Sequence, residues 1–168
     1  MRYLSGEEER KALEYMQIAK NIALESVCLR AKCGSVIVKD NEIIGVGYNS
    51  PPLNKCIEEC VKDSLPDSFK SDKTCCVHAE QRAIMNSLAQ SSEKLQDSTI
   101  YFARLNENNE IAFADKPYCT ICSKMCLDVG IAEFALYQFE GIIVYNMEEF
   151  NTLSFEHNKL IPLKSLPY

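Results

Sequence analysis

Ser35-Val36-Ile37-Val38-Lys39-Asp40-Asn41-Glu42-Ile43-Ile44-Gly45-Val46-Gly47-Tyr48 decides the architecture of this chain. Two β-branched, apolar runs flank an Asp-Asn pair, a pattern that predicts an antiparallel hairpin closed by a tight turn. Gly45 and Gly47 fall two apart and therefore on one face of the second strand. Their missing side chains admit something close, and a packed helix explains that as well as a ligand does.

Upstream of the hairpin the period changes from two to three and four. Ser5-Gly6-Glu7-Glu8 has the spacing of a capping box, and Leu13, Met16, Ala19, Ala23 and Val27 form one apolar stripe, so a helix is expected from Ser5 onward. Downstream, Asn49-Ser50-Pro51-Pro52 ends the strand, and about two dozen residues without a clear period lead to His78, a length typical of functional or disordered connections. Residues 78–88 regain helical character and Ser91-Ser92 closes them. Residues 98–103 form a strand, Asn106-Glu107-Asn108-Asn109 a turn, and residues 111–113 a short returning strand. Residues 119–129 form a helix stopped by Gly130 in a left-handed conformation. The runs at 133–137 and 141–145 are joined too briefly for a parallel crossover, so they are expected to pair antiparallel. Residues 147–155 make a last short helix. The predicted fold is α/β: a three-layer α/β/α sandwich around a five-stranded mixed sheet, in a single domain spanning residues 1–168.

Composition narrows the function. The chain has 168 residues, 46% hydrophobic and 25% charged, which are ordinary globular values. No apolar run approaches the roughly 18 residues of a membrane span, and residues 1–8 lack the apolar segment of a secretory signal. A cytoplasmic protein without a membrane partner is expected. The net charge of −6 lacks the basic footprint of a nucleic-acid binder, although a local basic pocket for one phosphate remains compatible with it. Nine cysteines, an odd number in a chain without a secretion signal, argue for metal binding or free thiols rather than a disulfide framework.

The chemistry lies in two short stretches, Cys75-Cys76-Val77-His78-Ala79-Glu80 and Lys116-Pro117-Tyr118-Cys119-Thr120-Ile121-Cys122. A catalytic zinc takes three protein ligands and leaves one position for water, and His78, Cys119 and Cys122 supply three. The two cysteines lie within one helical turn, where the positive helix end favours their thiolates. Glu80 is two residues from His78, about 200° around a helix, so both serve one site only if that site lies off the helix tip. There the free N–H groups of the first turn, that of Ala79 among them, face a ligand. Alone, a Cys-x-x-Cys pair is more often a structural zinc half-site or a redox pair, and a His-x-Glu carries little information. Joined in this order, with Pro117 ahead of the pair, they match zinc-activated water beside a proton-shuttling glutamate. A structural zinc module is the non-enzyme alternative. Cys56, Cys60, Cys75 and Cys76 share one loop with ligand-like spacing and are candidates for a second metal. Cys28, Cys33 and Cys126 read as core thiols.

At these residues the chain resembles the cytidine and deoxycytidylate deaminase superfamily, over roughly residues 5–145. Gly47-Tyr48-Asn49 followed by prolines is most similar to the deoxycytidylate branch, and the resemblance assigns Asn49 to the substrate sugar; an Asx-type turn cap is the alternative. Two departures bear on the substrate. Tyr118 intervenes between the proline and the first cysteine and changes the approach to the site. Arg82 stands where asparagine is common, placed either to bind a phosphate or to be solvated on the helix face. By the same resemblance, antiparallel final strands are typical of deaminases of free nucleosides and bases, which pulls against the Gly-Tyr-Asn similarity. The implied activity is hydrolytic deamination of a free cytosine nucleoside or nucleotide, with a guanine-like base or tRNA adenosine as alternatives. The resemblance also implies a homo-oligomer, dimeric or larger.

Overall fold

The computed structural model of the chain describes residues 1–65 and 75–157. Pro66, Asp67 and Asp72 of the long connection, and the chain beyond His157, lie outside the described residues.

The hairpin forms as its sequence requires. Strands β2 (Cys33–Lys39) and β3 (Glu42–Tyr48) follow the two-residue β1 (Arg2–Tyr3) and pair antiparallel from Gly34↔Tyr48 to Lys39↔Glu42. Asp40 and Asn41 take positive φ of 51° and 65°, the conformation of a primed two-residue turn. Helix α1 (Gly6–Ala23) follows β1 in the chain, α2 (Ala79–Gln90) follows the long connection, and β4 (Thr99–Arg104) comes next. Helix α3 (Thr120–Asp128), β5 (Glu133–Gln138), β6 (Gly141–Asn146) and α4 (Met147–Glu156) complete the order.

The six strands form one sheet in the order β1-β6-β5-β4-β2-β3. Only β4 and β5 run parallel, while β5 and β6 are antiparallel, as their short connection demands. The sheet therefore has six strands where five are expected. The additional one is β1, whose Arg2 and Tyr3 pair with Val144 and Ile143. Two exposed residues carry no alternation from which a strand could be read.

One helix covers one face and three cover the other, which makes the α/β/α layering. Ala12, Met16, Ala19 and Ala23 of α1 are buried, the first three against Ala135, Ile142, Val144, Val36, Val38 and Ala103. Ala12 takes the place in the stripe expected for Leu13, which is 45% exposed, and Val27 lies beyond the helix end. Ser5 is the N-cap of α1 without a side-chain cap hydrogen bond, so the expected capping box does not close. On the opposite face Ala83 and Ile84 of α2, Cys126 of α3 and Phe150 of α4 pack on Ile37, Ile100, Phe134 and Tyr145. The Phe134 and Phe150 rings stack 4.0 Å apart.

Gly47 sets how closely α2 approaches the sheet. A Cβ there would stand 2.3 Å from the Ala79 carbonyl oxygen and 2.4 Å from the Ala83 nitrogen. The close neighbour anticipated for Gly45 and Gly47 is thus α2, at Ala83 and Ser87 for Gly45 and at its first turn for Gly47. The return expected at 111–113 reduces to one bridge, Leu105↔Ile111. Among the described residues no helix is long and apolar enough to cross a membrane.

Candidate metal centre and active site

Two helix N-termini meet at one point. His78 is the N-cap of α2 and Cys119 the N-cap of α3. The His78 Nδ1 atom lies 3.2 Å from Cys122 Sγ and 3.5 Å from Cys119 Sγ, and the two sulfurs are 3.2 Å apart. Among the described residues this is the only group of three or more His, Cys, Asp or Glu whose ligand atoms all lie within 4.8 Å of one another. Ligands about 2.3 Å (sulfur) and 2.0 Å (nitrogen) from a tetrahedral zinc stand roughly 3.5–3.8 Å from each other, so the donor set fits this ion in both softness and spacing.

Local hydrogen bonds hold the ligands in place. Gln81 Oε1 accepts from the His78 backbone N–H at 2.9 Å, and Gln81 Nε2 reaches Met125 Sδ at 3.5 Å, which ties α2 to α3. Cys119 Sγ accepts from the Cys122 N–H at 3.4 Å. Its contact with the Cys122 thiol, followed by His78, brings the Cys119 pKa down to about 4. Cys122 is pushed well above the usual thiol value by that same contact and by burial. His78 is raised by its bond to Cys119.

Glu80 occupies the second position of α2 and is 7% exposed. Its carboxyl is raised by burial first and by the charge of Cys119 second, and it touches the Cys122 side chain. The offset of His78 and Glu80 is accommodated at the helix tip, where His78 lies against both sulfurs and Glu80 touches Cys122. Ala79, the first residue of α2, is fully buried.

Asn49 is buried beside β2 with its amide largely committed. Its Oδ1 accepts from Ser26 Oγ at 2.8 Å and from the Cys33 N–H at 2.7 Å, while Nδ2 donates to the Ala31 carbonyl at 2.8 Å. Asn49 also donates to the Cys28 thiol, so both acceptor sites and both N–H groups of the amide are engaged within the protein. Arg82 Nη2 donates to the carbonyls of Ser50 at 3.3 Å and Pro51 at 3.0 Å. Tyr118, 54% exposed, meets His157 edge-on at 4.7 Å, and His157 Nδ1 lies 3.2 Å from the Pro117 carbonyl.

The remaining thiols sort differently from their spacing. Cys60 Sγ is 3.5 Å from Cys75 Sγ, which also accepts from the Val61 N–H at 3.1 Å. Cys76 contacts Cys28, a residue from outside the loop, and Cys28 accepts from the backbone of Ala31 and Arg30. Burial alone would raise the Cys28 thiol, but these donors outweigh it and lower it. Cys56 is exposed. Cys126 is a core thiol, raised by burial, and Cys33 is raised to about 12 by burial and then by Glu80. Local spacing could not have found Cys28, which is 48 positions before Cys76 and reaches it only through the fold. A groove of about 710 Å³ beside Ala31 was also missed; Arg30, Lys32 and Arg104 line it together with Cys28.

The donor set, the buried carboxylate beside it and the α/β/α frame define a zinc-binding deaminase domain. The chain belongs to the cytidine and deoxycytidylate deaminase zinc-binding region family, whose model matches residues 9–138. It is 29% identical over 139 residues to the deoxycytidylate deaminase of Schizosaccharomyces pombe, covering 80% of this chain and 37% of that protein. It is 28% identical over 138 residues to the Saccharomyces cerevisiae enzyme of the same name, covering 80% and 38%. The chain thus aligns with under two fifths of these relatives' length. Among solved structures, the dCMP deaminase of cyanophage S-TIM5, in complex with dCMP and dUMP, superposes with a TM-score of 0.52 at 27% identity, covering 78% of this chain and 82% of that one.

Proposed function

We propose that this chain is a hydrolytic deaminase of a free cytosine nucleotide, with residues 1–168 acting as one catalytic domain. The observation that carries the reading is the buried Glu80 carboxyl against the His78, Cys119 and Cys122 group. These three side chains hold the zinc, which when bound supplies the Lewis acidity that makes water a nucleophile near neutral pH. Glu80, with its pKa raised by burial, accepts the water's proton and returns protons to the ring nitrogen and the departing amine. Ammonia leaves and the amino-bearing carbon becomes a carbonyl. The Ala79 N–H faces the base, Asn49 borders the sugar, and Tyr118 borders the entrance.

A nucleotide is favoured over a free nucleoside by the named relatives and by the groove that gathers Arg30, Lys32 and Arg104 in a chain of net charge −6. The antiparallel β5–β6 pair, associated with nucleoside deaminases by resemblance, is the opposing feature. Ammonia release from cytosine nucleotides, cytosine nucleosides, guanine and tRNA adenosine decides the substrate. Turnover is expected to be fastest with dCMP; release from guanine alone, or from none of them, overturns the reading.

A second, structural metal would draw together two separate pairs of thiols, Cys60 with Cys75 and Cys28 with Cys76, with Cys28 in the place that spacing gave to Cys56. Backbone N–H groups aimed at Cys28 favour the thiolate a metal needs, and Cys75 accepts from the Val61 N–H. Metal analysis of the purified protein is expected to find two zinc ions per chain; one alone rules the second site out. Met85 and Leu88, about half exposed on α2, provide apolar surface for a homo-oligomer.

A further inference from the structure

Arg82 lies two residues beyond Glu80 in the first turns of α2, yet nothing in the chemistry above employs it. We infer that Arg82 is a positioning residue that clamps the segment from Tyr48 to Pro51 onto α2, and does not contact the substrate's phosphate. The inference rests on the deaminase reading for its kinetic consequences, while its structural consequences stand without it.

Nη2 is committed to protein carbonyls and Nε is buried without a hydrogen-bond partner, so neither edge of the fork stands open to an anion. Both Nη2 protons go to the Ser50 and Pro51 carbonyls, at 3.3 and 3.0 Å. Nε is buried, and the plane lies over the Tyr48 ring, 5.5 Å from its centroid. A carboxylate or phosphate is bound two-pronged through adjacent N–H groups of the fork, and each such edge of Arg82 includes a committed or buried nitrogen.

What the clamp closes is a strained turn. Leu53 and Asn54 hold positive φ of 60° and 56°, and Leu53 is 85% exposed, so burial does not keep it there. The turn is fixed at its base: the Asn54 N–H donates to the Pro51 carbonyl at 2.9 Å and Asn54 Nδ2 to the Tyr48 hydroxyl at 2.8 Å. Arg82 grips the same Pro51 carbonyl and the same Tyr48 ring from the helix side.

The clamp reaches the active site through one bridge. Ser50 and Val77 exchange both backbone hydrogen bonds, at 3.2 and 2.9 Å. Ser50 follows Asn49 and Val77 precedes His78, so fixing Ser50 registers the sugar contact against the metal ligand.

The test uses the zinc-loaded full chain and compares Arg82→Ala with wild type on dCMP and deoxycytidine. The expected result is a KM about tenfold higher for both substrates, the size of one lost charge-assisted hydrogen bond, with kcat within about twofold and unchanged zinc content. Arg82→Lys recovers part of the loss, because an ammonium can donate to carbonyls but cannot stack on Tyr48. In the Arg82→Ala background, Leu53→Gly lowers KM again, since glycine accepts positive φ without strain. Amide exchange at Ser50 and Val77, faster in Arg82→Ala, needs no turnover and so stands apart from whether the chain is a deaminase. A KM increase confined to dCMP makes Arg82 a phosphate contact and overturns the inference, as does unchanged exchange together with unchanged KM.

Discussion

The two sulfur clusters of this chain invite comparison. At the tips of α2 and α3, three ligands converge within 4.8 Å before any ion is considered. In the other cluster the contacts join Cys60 to Cys75 and Cys28 to Cys76, two pairs linked by one peptide bond. The difference lies in what carries the ligands. His78, Cys119 and Cys122 ride on helices packed against a six-stranded sheet, whereas Cys60 and Cys75 belong to the long connection. Rigid elements preorganise a catalytic group, while a site on loops draws its order from the metal itself.

The comparison can be broken most forcefully at Glu80. Glu80→Gln is expected to lower kcat about a thousandfold while the zinc content of the first cluster stays intact, read by steady-state kinetics and metal analysis on one preparation. If the substitution were silent, the group would be a structural zinc module. Next in size is the pH dependence of zinc affinity. Cys119, near 4, is a thiolate at neutral pH, whereas Cys122 is held well above the usual thiol range and must release its proton when the ion binds. Affinity should therefore rise with pH, about tenfold per unit for each proton released, and calorimetry in buffers of different ionisation enthalpy counts that proton. Affinity independent of pH between 6 and 8, roughly the range where such release matters, would contradict this ligand assignment.

Smaller effects sharpen the contrast. Gly47→Ala places a methyl group 2.3 Å from the Ala79 carbonyl oxygen, so α2 must move. A loss of about 1–3 kcal/mol in denaturant melts is expected, together with a loss of activity, because Glu80 moves with the helix. In the second cluster, Cys28→Ser removes one zinc per chain, while Cys56→Ser keeps the metal content and changes stability by less than about 0.5 kcal/mol. The reverse pattern would restore Cys56 to the ligand set.

What could be read in the sequence was what is local. The hairpin followed from the alternation and the Asp40-Asn41 turn, and the grouping of Cys119 with Cys122 from their spacing of one turn beside Pro117. The convergence of two helix tips followed from the offset of His78 and Glu80. Long-range partners left no such trace. Strand β1 exists because β6 offers an unpaired edge to Arg2 and Tyr3. Cys28 meets Cys76 because the segment after α1 folds beside Asn49. Asn49 is committed to Ser26, Ala31 and Cys33 by neighbours that no motif around it names. Arg82 could not be assigned from spacing either, since whether its guanidinium meets a phosphate, water or two carbonyls depends on where the Ser50-Pro51 backbone turns.

The buried bond from Ser123 Oγ to Asn151 Oδ1, 2.7 Å long, anchors α3 to α4. Both residues are at most 1% exposed. On the ribosome this makes the finishing of the site wait for α4. His78 emerges long before Cys119 and Cys122, and the helix bearing the two sulfurs is not locked until Asn151 has left the exit tunnel. The two thiols therefore sit in an unfinished setting until Asn151 is in place, which couples the sulfur pair to a helix that follows it in the chain.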